Sequence, residues 1–187
     1  MKTDRAGGRW ARWLASGLLA LSAGCGDGDG VAGPTVDLDL VAGLYEIQTL
    51  TFDPQGSAPA ADVLSALEAA GTSPTLNIGR TGNFQLFFRD PVSGDIRTVD
   101  GDVEGTAEGV ELAFATRADA ALFLFPQRLP LAFDGEAGTL FYSGPAEVNR
   151  ARLQLLFPEL YADEQLFDPT PGVLTAGFQR LEEASGG

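Results

Sequence analysis

Asp100, Asp102 and Glu104 are the densest grouping of side chains in this sequence that could carry chemistry, and their spacing limits what that chemistry is. Alternate positions on a strand share a face with about 7 Å between neighbours, too far for adjacent ligands of one metal ion unless a second strand converges. With no partner acid, base or pocket, the three carboxylates read as a solvated strand face. The usual catalytic repertoire is thin elsewhere. The 187 residues contain no histidine, which removes Ser-His-Asp and Cys-His mechanisms and histidine metal sites. Lys2 is the one lysine, so Schiff-base and Ser-Lys chemistry have no residue to use in the body of the chain. Carboxylate or tyrosine acid–base chemistry survives, without a constellation to support it. Arg150 and Arg152 read as partners of surface acids or caps of local structure. No catalytic residue, metal ligand or cofactor motif is assigned, and the chain is expected not to be an enzyme.

The lone thiol, Cys25, sits in a different setting. Residues Met1 to Arg12 carry Lys2, Arg5, Arg9 and Arg12 against a single acid, Asp4, and an apolar run from Trp13 to Leu21 follows. That run is far short of the roughly 20 apolar residues needed to span a bilayer. It fits a cleaved export signal. The run Leu21-Ser22-Ala23-Gly24-Cys25 resembles the lipobox of bacterial lipoproteins, matching at Ala23 and Gly24 and departing at Ser22, where leucine is usual. The resemblance implies that Cys25 is lipidated and becomes the first mature residue; a plain secretory cleavage site is the alternative. Gly26 rather than aspartate after the cysteine implies the outer membrane, facing the periplasm, over the inner one. Residues 25–35 are small and acidic, without periodicity, as a flexible linker is. Asp27-Gly28-Asp29-Gly30 within it matches only the opening of a calcium loop and lacks the distal glutamate.

Removing residues 1–24 leaves 163 residues, with eight basic side chains against 25 acids and a net charge of −17. That is enough chain for one domain with a real core. The charge repels phosphate backbones, so no nucleic-acid partner is expected, and no polybasic patch assists membrane attachment. The lipid on Cys25 is the expected membrane contact.

The elements that follow are mostly strands. Val36, Leu38 and Leu40 alternate with Asp37 and Asp39, and Gly43 to Phe52 continues as a β-rich stretch. Ala60 to Ala70 is the first helix, with Val63, Leu64 and Leu67 on one face and Gly71 past its end. Leu76 and Ile78 alternate before Arg80-Thr81-Gly82-Asn83, and Phe84, Leu86 and Phe88 alternate after it, which predicts a hairpin. A strand over Ile96–Gly105 puts Val99 and Val103 opposite the acidic face, and Val110, Leu112 and Phe114 follow a turn. Ala121 to Phe125 is a short apolar strand candidate. Leu129, Leu131 and Phe133 alternate around Pro130, which predicts an edge or bulge there. After Thr139 to Tyr142 the period changes from Ala146 onward to a helical one through Leu153, Leu156, Phe157 and Leu160, broken by Pro158. Val173 to Leu181 closes the chain, and 182–187 is a tail expected to be frayed. The fold class is mainly β: an antiparallel barrel of about eight strands over 36–181, with a helix between the first two strands and another before the last, or alternatively a β-sandwich.

The stretch from Val36 to Ile47 resembles the first-strand motif of lipocalin-like (calycin) barrels, with Gly43-Leu44-Tyr45 in the place of the family's Gly-x-Trp. The likeness extends over roughly 36–181, without a recognisable middle motif. It implies that Arg180, in Phe178-Gln179-Arg180, packs across the Tyr45 ring as a structural pair at the barrel's closed end. It further implies a small hydrophobic ligand inside the barrel, lined by Leu76, Ile78, Phe84, Leu86, Phe88, Val99, Val103, Leu112, Phe114, Leu131 and Phe133. The same residues can instead fill a solid core. Two functions therefore stay open: a lipid-anchored, non-catalytic binding or carrier module for an apolar ligand, and a structural or assembly lipoprotein with a filled barrel that contacts another envelope protein.

Overall fold

The computed structural model describes residues 35–71, 73–161 and 166–181. Cys25 and the signal, nearly all of the linker over 25–35 and the tail 182–187 lie outside the described residues. Nine strands run in the order β2-β1-β3-β4-β5-β6-β7-β8-β9, every neighbour pair antiparallel, and β1 pairs back onto β9. These are β1 (Gly43–Pro54), β2 (Ala61–Asp62), β3 (Thr75–Ile78), β4 (Asn83–Arg89), β5 (Ile96–Gly105), β6 (Gly109–Phe114), β7 (Arg128–Asp134), β8 (Thr139–Val148) and β9 (Thr170–Arg180). The β1–β9 ladder, from Tyr45↔Arg180 to Pro54↔Gly172, closes eight strands into a barrel and leaves no two-sheet sandwich. Strand β2 is the extra one. It adds to β1 at Thr51 and Phe52, beyond the four residue pairs that β1 shares with β3.

Alternation produces the wall. On β4 the pattern runs exposed–buried from Asn83 to Phe88, with Phe84, Leu86 and Phe88 inward. On β5, Val99 and Val103 are buried while Asp100, Asp102 and Glu104 are exposed. Between the two valines Gly101 leaves room for the Phe84 ring; a Cβ there would stand 2.7 Å from that ring and 2.2 Å from the Ala113 carbonyl oxygen. The large-next-to-small arrangement lets the lumen fill without distorting the ladder.

Several expected boundaries are corrected. The alternation from Val36 to Leu40 is not strand: Leu38–Val41 forms one helical turn, α1, because the Asp37 carboxylate caps it by accepting the Asp39 N–H at 2.9 Å. The helix expected over Ala60–Ala70 is shorter, α2 (Val63–Glu68), since Asp62 serves as its N-cap and Ala61–Asp62 joins β1. The apolar run Ala121–Phe125 is not a strand. It follows a short helix, α3 (Arg117–Ala121), started by Thr116, whose hydroxyl and the Asp119 backbone and carboxylate bond reciprocally. The helical period expected from Ala146 begins later: β8 extends to Val148, and Asn149 then caps α4 (Arg150–Leu156). Pro158 begins a second turn, α5 (Pro158–Tyr161), where the first residue of a helix needs no N–H partner.

Pro130 marks a seam in the wall. Strand β7 meets β8 through three residue pairs only, Ala132–Asp134 with Phe141–Thr139. Phe133 N–H bonds toward β6, to Glu108 O, so the even positions of β7 face β8. The missing N–H of Pro130 thus points into the part of the seam that is unpaired, and Pro145 occupies the matching unpaired stretch of β8. Neither strand can be zipped further there by a ladder bond from its proline.

Candidate functional site

The barrel has two unlike ends. At the closed end Tyr45 is fully buried, and its hydroxyl donates to the Val41 carbonyl at 2.5 Å. The Arg180 guanidinium reaches the same hydroxyl from Nε at 3.2 Å and from an Nη at 2.8 Å, and it also donates to the Leu40 carbonyl. Its central carbon lies 5.4 Å from the Tyr45 ring centroid and 5.7 Å from that of Phe133. Arg180 therefore ties β9 to β1 and to the α1 turn while standing between two rings. Burial raises the Tyr45 pKa, a shift partly offset by the hydrogen bond and the charge of Arg180. The hydroxyl is engaged on both sides, donating to Val41 and accepting from Arg180.

Ten of the eleven expected lumen residues are buried: Leu76, Ile78, Phe84, Leu86, Phe88, Val99, Val103, Leu112, Phe114 and Leu131. Phe133 differs, being half-buried against Arg180 at the closed end. What the alternation does not disclose is what these side chains face. The connection between β6 and β7 sends Phe123, Leu124 and Phe125 into the barrel, and all three are buried. Phe123 packs edge-on against Phe88 at 4.3 Å and stacks on Phe125 at 5.5 Å. Phe125 continues to Phe114 at 5.9 Å and Phe178 at 6.4 Å, and Phe114 meets Phe84 at 5.0 Å. Six aromatic rings form one contiguous packing through the lumen. The cap pattern Thr116-Arg117-Ala118-Asp119 was the one sequence signal that this segment starts with a helix; nothing local signals that its end enters the barrel.

The second end is built by α2, α3, α4 and α5. Arg152 on α4 donates to Asp90 Oδ1 from both terminal nitrogens at 3.3 Å and to the Leu122 carbonyl at 3.0 Å. Asp90, 4% exposed, also receives Arg97 at 3.5 Å and the Val92 N–H at 3.0 Å. Arg152 thus meets a buried acid, not a surface one, and it locks the β4–β5 turn to the segment that plugs the lumen. Arg150 donates to the Leu166 carbonyl at 3.4 Å. The Tyr161 hydroxyl donates to Pro59 O at 2.5 Å, fastening α5 to the segment before α2.

Beside the plug lies a cleft of about 1010 Å³, between the β6–β7 connection and the strand ends at 145–149 and 168–172. Leu124, Phe125, Ala146 and Val148 provide apolar floor, with Arg117, Gln127, Glu147 and Asn149 among its polar groups. A smaller hollow of about 320 Å³ sits in the β7–β8 seam at Pro130 and Tyr142. The Tyr142 hydroxyl donates there to Pro145 O at 2.9 Å, and burial raises its pKa. The acidic row Asp100, Asp102 and Glu104 stays on the outer wall, where Glu104 pairs with Arg128 at 3.8 Å. Among the described residues no group of three potential metal ligands converges, and no helix is long and apolar enough to cross a membrane. No family model matches the chain, and no curated protein or solved structure matches it.

Proposed function

We propose that this chain is a lipid-anchored, non-catalytic protein of the cell envelope, held through Cys25 in the outer membrane, whose barrel is a rigid scaffold that presents its helical end to another envelope protein. The observation that carries this reading is the filled lumen. A carrier keeps its interior free for cargo, whereas here Phe123 and Phe125 pack against the inward rings Phe88, Phe114 and Phe178, and Arg152 holds the Leu122 carbonyl just before them. The helical end also bears large apolar side chains that the core does not use: Ile96 is 70% exposed, Leu155 60% and Phe167 73%. Exposed apolar side chains of this size suit a protein contact.

In-cell photo-crosslinking from positions 155 and 167 tests the reading. One dominant partner is expected from those sites and none from the acidic wall at Asp102. Equal, unselective capture from all three sites removes the scaffold reading. Replacing Cys25 with alanine is expected to abolish acyl labelling and release the protein from membranes.

A second reading rests on the 1010 Å³ cleft at the helical end, whose size and apolar floor, including Leu124 and Phe125 of the plug, suit a small hydrophobic ligand bound against the plug. Native mass spectrometry of the delipidated protein separates the two. A retained apolar ligand, lost on Ala146→Glu, favours the cleft as a binding site.

A further inference from the structure

Leu181 lies opposite Leu44 at the closed end, just past the Tyr45↔Arg180 pair, and its N–H donates to Leu44 O at 2.8 Å. Arg180, the residue before it, donates to the carbonyl of Leu40. Leu40 and Leu44 are thus tied through their carbonyls to Arg180 and Leu181, and all three leucines are exposed: Leu40 62%, Leu44 43% and Leu181 38%. Their chain neighbours Val41 and Tyr45 are fully buried, so the end is well anchored behind an apolar outer rim.

We propose that this leucine-bearing closed end seats on a zwitterionic bilayer surface, so that the barrel stands with its helical end away from the membrane. The proposal rests on the anchoring of Cys25 put forward above. Chain length decides which end faces the lipid. The described chain begins at Thr35, and Val36 N–H bonds to Thr106 O at 2.8 Å in the β5–β6 turn, at this same closed end. Ten residues lead from Cys25 to Thr35. They span at most about 35 Å when fully extended. A flexible, glycine-rich chain of that length averages about 17 Å end to end. The 11 residues of β9, tilted as barrel strands are, rise about 28 Å along the axis. The helical end thus meets the bilayer only with the spacer drawn nearly taut along the wall, although it is the more apolar of the two ends. The closed end meets it at the spacer's ordinary length.

Charge selects the lipid. Asp37, Asp39 and Glu46 lie near the leucines; Arg80 is paired with Asp39 at 3.8 Å, and Arg180 is spent on Tyr45 and Leu40. Among the described residues no free cationic cluster at this end is offered to an anionic headgroup, so a zwitterionic surface is the better match. Three partly exposed leucines are a weak contact alone and act only alongside the acyl chains.

Fluorescence from single tryptophans tests this. Both native tryptophans, Trp10 and Trp13, precede Cys25, so signal cleavage leaves none. The full gene carrying Leu44→Trp, Leu181→Trp or Phe167→Trp is expressed in a bacterial host. The membrane-extracted product is checked by intact mass and reconstituted into phosphatidylcholine vesicles with or without brominated acyl chains. Bromine quenching several-fold greater at positions 44 and 181 than at 167 is the expected result. Vesicle-bound protein quenched equally at all sites, or most at 167, overturns the orientation and leaves the anchor standing. A blue-shifted emission at 44 that bromine does not quench means a protein surface, such as a second copy, covers the leucines, and it overturns the proposal too. Protein that does not float with vesicles and carries an unmodified Cys25 overturns the anchor itself, and the seating falls with it.

Discussion

Arg152 and Asp90 face each other across the helical end of the barrel, 62 residues apart in sequence, with both terminal guanidinium nitrogens 3.3 Å from one carboxylate oxygen. The pair joins three segments that the sheet does not connect: the β4–β5 turn through Asp90, α4 through Arg152, and the lumen plug through the Leu122 carbonyl. A buried pair of this kind is a poor source of net stability, since both ions give up water. Its consequence is positional: breaking it leaves a charge stranded and frees the plug.

Replacing Arg152 with alanine is therefore expected to lower the unfolding free energy by about 2–3 kcal/mol, because the buried Asp90 then keeps one cationic partner, the half-exposed Arg97, beside the Val92 N–H. Urea denaturation of Asp90→Ala, Arg152→Ala and the double variant checks it. A coupling of at least about 1 kcal/mol between the two sites is expected, and strict additivity would refute a direct interaction.

Phe123→Ala removes the ring that joins Phe88 to Phe125 at the centre of the lumen. Truncating a fully buried phenylalanine costs about 3–5 kcal/mol, the spread reflecting how far the surroundings collapse. If the lumen is closed to ligands because it is filled, the same variant should gain binding of a fluorescent fatty acid that the parent protein does not bind. Probe binding by the parent and the variant alike would count against the scaffold reading.

Tyr45 gives a pH signature. Its pKa is raised in the fold, with burial the larger cause and Arg180 opposing it. A raised acid binds its proton more tightly folded than unfolded, so this contribution is complete below the unfolded value of about 10. It is lost as pH climbs from there through the higher folded value. Tyr45→Phe is expected to flatten that alkaline loss of stability. It also removes the hydroxyl shared by Val41 and Arg180, at about 1–2 kcal/mol near neutral pH. Denaturant midpoints across the alkaline range, parent against variant, give both readings.

The wall was legible in the sequence because its period is unambiguous. Leu76 and Ile78, then Phe84, Leu86 and Phe88, alternate about a turn, and the observed register pairs Ile78 with Phe84 and Leu76 with Leu86. Five residues of alternation were not enough at Val36–Leu40, where one aspartate cap outweighs the pattern and turns the chain into α1. The run Ala121–Phe125 shows the other limit. A short apolar segment has no period to read, and whether it becomes strand, helix or plug depends on a lumen assembled from distant strands. The Tyr45–Arg180 contact came from a likeness between motifs, not from spacing. Asp90 and Arg152 carry no local signal at all, since each reads as an ordinary surface charge until the turn and α4 are brought together.

Leu124 is the one described residue other than glycine with a positive φ, at 63°, and it sits between the two inserted phenylalanines. Two adjacent rings, Phe123 and Phe125, both enter the core, and the left-handed backbone between them makes that possible. For an L-residue this conformation costs roughly 1–2 kcal/mol, a penalty that glycine escapes. Both Leu124→Ala and Leu124→Gly lose the buried leucine side chain, so both destabilise. Their order is the test. Glycine should be the better tolerated of the two by about 1 kcal/mol, the reverse of the order inside a helix. Ala120→Gly in α3 supplies the control, where glycine should instead cost about 1 kcal/mol relative to alanine. Thermal or urea unfolding of the three variants decides it: alanine at position 124 matching or exceeding glycine would mean that the backbone there relaxes, and that the plug is not held in the strained form that inserts both rings.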